Sequence, residues 1–139
     1  MADPFNLERF VDAQAPLYDE VRRELKAGRK QSHWMWFIFP QIAGLGQSPM
    51  SIRFAIGSLN EAKAYLAHPV LGARLRECAR LTLDVEGRNA RDIFGSIDEM
   101  KFRSSMTLFA RAAPDEDVFQ RCIDKYFAGA PDPATLARL

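Results

Sequence analysis

Cysteine and histidine are scarce in this chain, with two of each among 139 residues. Cys78 and Cys122 fit no metal-ligand spacing. Each sits among apolar residues at helical intervals, which predicts reduced, buried thiols rather than a disulfide. Two histidines without a cysteine or glutamate cluster make no metal site, and no other cofactor is implied. Charge of one sign is lacking as well. Nineteen basic residues face eighteen acidic ones, for a net charge of +1, so the footprint of a nucleic-acid or anionic-membrane binder is missing. No apolar run approaches the roughly 20 residues of a membrane span. The start, Met1-Ala2-Asp3-Pro4-Phe5, has neither the basic end nor the apolar core of a signal peptide, so the expected location is the cytoplasm. No repeat, low-complexity tract or linker divides the chain, and no segment alternates convincingly with period two. The expectation is one all-α domain over residues 1–139, with its core from about 5 to 127.

What is present is concentrated. Ser32-His33-Trp34-Met35-Trp36-Phe37-Ile38-Phe39-Pro40-Gln41 holds both tryptophans, two of the ten phenylalanines and one of the two histidines. Such a segment has to be buried almost completely in a water-soluble domain, with its polar flanks His33 and Gln41 drawn inward. Ser32 is placed to cap a helix through it, which Pro40 ends. A buried strand is the competing reading, but no partner strand is evident elsewhere.

The rest of the chain is marked by helix punctuation. Asn6 is expected to cap a short helix, and a second helix from about Ala15 to Ala27 stops at Gly28. Gln41–Ser51 reads as a loop, followed by the cap-then-proline start Ser48-Pro49. Ser58 with Glu61 forms a capping box, and His68-Pro69 breaks the helix it opens. Further starts fall at Asn89, Ser96, Asp115 and Asp132-Pro133. The pattern predicts a compact bundle of about six to eight short helices.

The ordered landmarks resemble a known family. They are His33-Trp34-Met35-Trp36-Phe37-Ile38-Phe39-Pro40-Gln41, Gly44-Leu45-Gly46 and Ser48, then Glu61-Ala62, Tyr65-Leu66 and His68-Pro69-Val70-Leu71-Gly72 with Arg74-Leu75. Phe94-Gly95, Asp98, Lys101-Phe102 and Ser104-Ser105-Met106-Thr107-Leu108-Phe109 follow. Over about Phe5 to Phe127 the chain resembles the small bacterial proteins of domain-of-unknown-function family 1810, some of which are mislabelled calpastatin. The resemblance implies a compact, mainly helical domain and supplies no catalytic residues.

Candidate chemistry follows from polar groups set into apolar segments. On a helix, Asp98, Lys101 and Ser105 share one face, flanked by Ser104 and Thr107. A partly buried lysine beside a serine is one route to a nucleophile; an (i, i+3) ion pair on a packed helix is the structural alternative. His33 and His68 are candidate polar contacts or bases, His68 also being placed to close a turn. The Gly44-Leu45-Gly46-Gln47-Ser48 loop before a helix start is a candidate anion nest. It lacks the Lys-Ser/Thr ending of a P-loop and any preceding strand. Trp34 and Trp36 are candidate stacking surfaces, with Gln41 at their border.

Two function classes fit. One is a small-molecule binder or enzyme with a pocket between the aromatic helix and the Asp98–Thr107 helix, taking a nucleotide-like ligand of ADP-ribose or NAD type. An N-glycosidase is one version. The other is a non-enzymatic protein–protein interaction module. The first requires Lys101, Ser105 and His33 to converge on one cavity, with the Gly44–Ser48 loop alongside.

Overall fold

Capping residues and glycines divide the chain into short helices. The computed structural model describes residues 3–139. In order these are α1 (Glu8–Gln14), α2 (Tyr18–Ala27), α3 (Met35–Ile38), α4 (Pro49–Arg53) and α5 (Leu59–Ala67), then α6 (Leu71–Leu83), α7 (Ala90–Phe94), α8 (Ser96–Ala112), α9 (Asp117–Phe127) and α10 (Pro133–Leu136). The all-α expectation holds: eight helices of five residues or more make the bundle, and the four-residue turns α3 and α10 complete it. Among the described residues the sole strand-like pairing is one parallel bridge between Ile42 and Ile56. It ties the loop after α3 to the connection before α5.

Several caps act as their side chains suggest. Ser48 accepts from the Ser51 amide ahead of Pro49, and Asn89 and Asp92 form a reciprocal box on α7. Gly28 ends α2 at φ 73°, in the left-handed region that glycine tolerates best. Others differ. Asn6 does not cap α1; the Asp3 carboxylate does, accepting from the Leu7 and Glu8 amides at 2.8 and 3.1 Å. Ser58 caps α5 by accepting from the Glu61 amide at 3.1 Å, but the Glu61 carboxylate accepts from the Gly57 amide and pairs with Arg9 instead of closing the box on Ser58.

The largest departure is in the aromatic segment. Instead of one helix from Ser32 to Phe39, a single turn begins at Met35, because Ser32 is engaged elsewhere. Its hydroxyl donates to Glu24 Oε2 at 2.6 Å and its amide to Glu24 Oε1 at 2.9 Å. Burial of the segment follows expectation in its middle and departs from it at one flank. Trp34, Phe39 and Pro40 are buried, Trp36 and Gln41 partly so, and His33 is exposed.

The seventeen-residue α8 is the central element, packed against α5, α7, α9 and α10. From Ser104 to Phe109 it is buried all round, and its first two turns reach solvent. Phe102 joins it to the aromatic segment, stacking on Phe94 at 4.7 Å and meeting Phe39 edge-on at 5.0 Å. Aromatic pairs of this kind contribute about 0.5–1.5 kcal/mol beyond their burial. The packed core also continues past Phe127. The Asp132 carboxylate accepts from Ser104 Oγ, Thr135 Oγ1 and the Thr135 amide, and Thr135 is fully buried. No helix is long and apolar enough to cross a membrane among the described residues.

Candidate functional site

Glu24 fixes one wall of the site. It lies beside Val21 and Leu25 on the buried face of α2, where its carboxylate has to find donors. Gln31 N, Ser32 N, Ser32 Oγ and the Trp34 indole N–H supply them at 2.6 to 3.0 Å. Burial pushes its pKa up, but these hydrogen bonds outweigh burial and hold it down to about 2. The loop from Gly28 to Trp34 is thereby locked, and the Lys30 amide secures it further by donating to Ile93 O at 2.7 Å.

Lys30 is carried on that locked loop. Its side chain is only 8% exposed, with Nζ 2.9 Å from Asp98 Oδ2. The same ammonium donates to Ser32 O at 2.6 Å and lies 5.1 Å from the centre of the Trp34 ring. Asp98 belongs to the first turn of α8 and also faces Lys101, whose Nζ is 3.7 Å from Oδ1. Lys101 Nζ stands 5.3 Å from the centre of the Trp36 ring. Among the described residues it makes no hydrogen bond, and its side chain is 21% exposed, so the ammonium also reaches solvent.

Gly95 opens α8 at φ 86°, a backbone conformation that disfavours side chains, and it leaves the helix start without a side-chain cap. The first intrahelical bond is Glu99 N–H to Gly95 O at 3.0 Å, so the amides of Ser96, Ile97 and Asp98 precede it. Gly95, Ser96, Ile97 and Asp98 line an open cavity of about 380 Å³ together with Lys30, His33, Met35, Trp36, Phe94 and Lys101. A second, enclosed space of about 10 Å³ shares Met35, Trp36 and Lys101 and is bounded by Gln41, Gly44 and Gly46. That is room for one water and too little for a phosphate. The Trp36 indole nitrogen is buried without a partner among the described residues.

Of the sequence candidates, His33, Trp36, Asp98 and Lys101 therefore meet at the larger cavity, with Trp34 behind Lys30. Gln41, Gly44 and Gly46 border the smaller one. The Gly44–Ser48 loop is mostly exposed: Gly44, Gln47 and Ser48 face solvent, with the Arg138 guanidinium lying over Gly44 and Ser51 close against Gly46. Ser48 is used as the α4 cap. Ser104 bonds to Asp132 and the Met100 carbonyl, away from the larger cavity. Ser105 is fully buried, lines neither space, and its hydroxyl has no partner among the described residues. His68 lies elsewhere, its Nδ1 accepting from the Val70 and Leu71 amides at 3.1 and 3.2 Å. Cys78 and Cys122 are free and buried, and burial pushes both thiols up to about 12.

The family of proteins of unknown function designated DUF1810 matches residues 4–139. The chain belongs to this family. A crystal structure of the conserved hypothetical protein Rv1873 from Mycobacterium tuberculosis is 54% identical in sequence and agrees at a TM-score of 0.97. That comparison covers 99% of this chain and 98% of the other. No curated protein matches the chain. Neither description states an activity, so the chemistry has to be argued from the site.

Sequence reasoning missed Lys30 and Glu24. A signal for Glu24 was available, since a carboxylate at i+3 from Val21 and beside Leu25 interrupts an apolar stripe. Lys30 had none, because its partner Asp98 is far away along the chain.

Proposed function

We propose that the cavity between the aromatic segment and the start of α8 binds a nucleotide-like small molecule of ADP-ribose or NAD type. The observation that carries this reading is Trp36 at the cavity: its indole N–H is buried without a partner among the described residues, beside the partly exposed Lys101 ammonium. A buried donor without a partner costs roughly 1–3 kcal/mol, which a ligand or ordered water recovers. A volume of about 380 Å³ falls within the range of small-molecule sites. Trp36 offers a face on which a planar ring can stack once Lys101 turns toward an anionic group. Covalent catalysis through Ser105 gains no support, because that hydroxyl lies outside the cavity, so the reading is one of binding. Free, buried cysteines fit a reducing compartment such as the cytoplasm.

The test is a panel of nucleotides and metabolites read by thermal shift and by the Trp36 indole proton resonance. A ligand at 100 times its Kd adds about 2.7 kcal/mol, several degrees for a domain of this size. The competing reading, a protein–protein interaction module, is favoured by Ile97 and Met100, which are 72% and 68% exposed on the outer face of α8. It predicts no metabolite shift and an indole resonance that stays in place throughout the panel.

A further inference from the structure

The charge inventory of this cavity is unequal, and it selects one part of the ligand. Two ammoniums, Lys30 and Lys101, share a single carboxylate, Asp98. The next charged pair along α8, Glu99 with Arg91 at 3.2 Å, neutralises itself. The side chains lining the cavity thus hold one positive charge more than negative. Lys30 is more than nine-tenths buried and compensated by Asp98 at 2.9 Å, so the surplus falls on Lys101, whose side chain is 21% exposed. The Gly95–Asp98 backbone along the same wall adds the positive end of a seventeen-residue helix that no side chain caps.

We infer that Lys30, Lys101 and the uncapped start of α8 form a subsite for a phosphate group of the ligand. This inference rests on the cavity being a ligand site and says which part of the ligand enters where. A phosphoryl group suits the geometry better than a carboxylate. Lysine presents a compact charge with rotatable donors, which accepts a tetrahedral oxyanion in many orientations, whereas the planar fork of arginine is the match for a carboxylate. Lys101 is the mobile partner, because it is held to Asp98 at 3.7 Å and by no hydrogen bond among the described residues. Lys30 is the fixed one, tied to Ser32 O and Asp98. The anion is therefore placed by the helix start and the Glu24-locked loop, and not by the Gly44–Ser48 loop, whose adjoining space admits one water.

The test uses adenosine, AMP and pyrophosphate as probes in calorimetric titrations of the full chain at low and physiological salt, with two variants. Lys101→Met removes the mobile ammonium. Ser96→Asp puts a carboxylate at the first position of α8, where it favours the helix but repels an anion in the cavity. Thermal unfolding confirms that each variant is folded. The expected result is AMP binding at least tenfold tighter than adenosine, weakened by salt and lost by tenfold or more in both variants. If adenosine binds as tightly as AMP, or if both folded variants retain AMP affinity, the phosphoryl subsite is wrong and the small-molecule cavity stands. If pyrophosphate binds with the same variant pattern and neither adenosine nor AMP does, the subsite stands and the nucleotide-like ligand is wrong. Binding of none of the three at millimolar concentration overturns both.

Discussion

Less than one turn apart on α8, two groups of polar side chains spend their hydrogen bonds in opposite ways. Ser104 donates to Asp132, and Thr107 donates to Arg103 O while accepting from the Asp132 amide. Arg103 closes the same patch by donating to Ala130 O and Pro131 O. That network is saturated and docks the C-terminal segment. Lys101 touches Asp98 and the Trp36 ring without a hydrogen bond, and the Trp36 indole has no acceptor among the described residues. A saturated network rigidifies a fold, while the proposed ligand site lies at the other group. Stability and binding should therefore separate along α8, and the following measurements are ranked by how strongly they test that separation.

The largest effect is expected at Trp34, which is fully buried and donates to Glu24. Trp34→Ala should cost about 3–5 kcal/mol in urea unfolding, enough to unfold much of a marginally stable domain. Trp36→Ala removes a partly buried ring with an unpartnered nitrogen and should cost clearly less while abolishing ligand binding. Equal costs at the two positions would place Trp36 in the core and take it out of the site.

Glu24 comes next, and its effect depends on pH. Its folded-state pKa is depressed to about 2 from an ordinary value of 4.5, so its ionisation stabilises the fold fully above the ordinary value. That contribution fades as pH falls from about 4.5 toward 2. The shift is equivalent to no more than about 3 kcal/mol. Urea unfolding at pH 7, 4 and 3 should show Glu24→Gln less stable at neutral pH and losing less than the parent chain on acidification. Parallel loss in both chains would mean that the carboxylate does not organise the Lys30–Trp34 loop.

The contrast along α8 also shows what was legible in the sequence. Ser48-Pro49, Asn89 and Asp132-Pro133 were read as helix starts because each cap bonds within three residues of itself. The family motifs and the all-α class followed from local pattern, whereas His33, expected to be drawn inward, is exposed. The aromatic segment was misjudged as a full helix because Ser32 answers to Glu24, eight residues away on another helix. Ser104 and Lys101 looked alike because both are polar positions on an apolar helix. What distinguishes them is Asp132 and Lys30, each supplied from a distant part of the chain.

Asp132→Ala tests the saturated half. It leaves Thr135 Oγ1 and the Thr135 amide without their acceptor and Ser104 Oγ with the Met100 carbonyl alone, at a cost of about 1–3 kcal/mol. Hydrogen exchange should quicken across residues 130–138, while the affinity for any ligand of the cavity stays within twofold. A parallel loss of affinity would show that the two halves of α8 are coupled.

Lys101→Met should have the smallest effect on stability and the largest on function. The ammonium makes no hydrogen bond among the described residues, and its ion contact with Asp98 is long and partly exposed, a class of interaction that contributes about 0–1 kcal/mol. Methionine keeps the aliphatic stem against Trp36, so urea unfolding should move by less than about 1 kcal/mol in either direction. Asp98 retains Lys30 at 2.9 Å and is not orphaned. If the variant instead loses several kcal/mol, Lys101 is a structural residue and the division of α8 fails. Unchanged stability together with tenfold or greater loss of anionic ligand affinity leaves Lys101 with a role in binding and none in holding the fold.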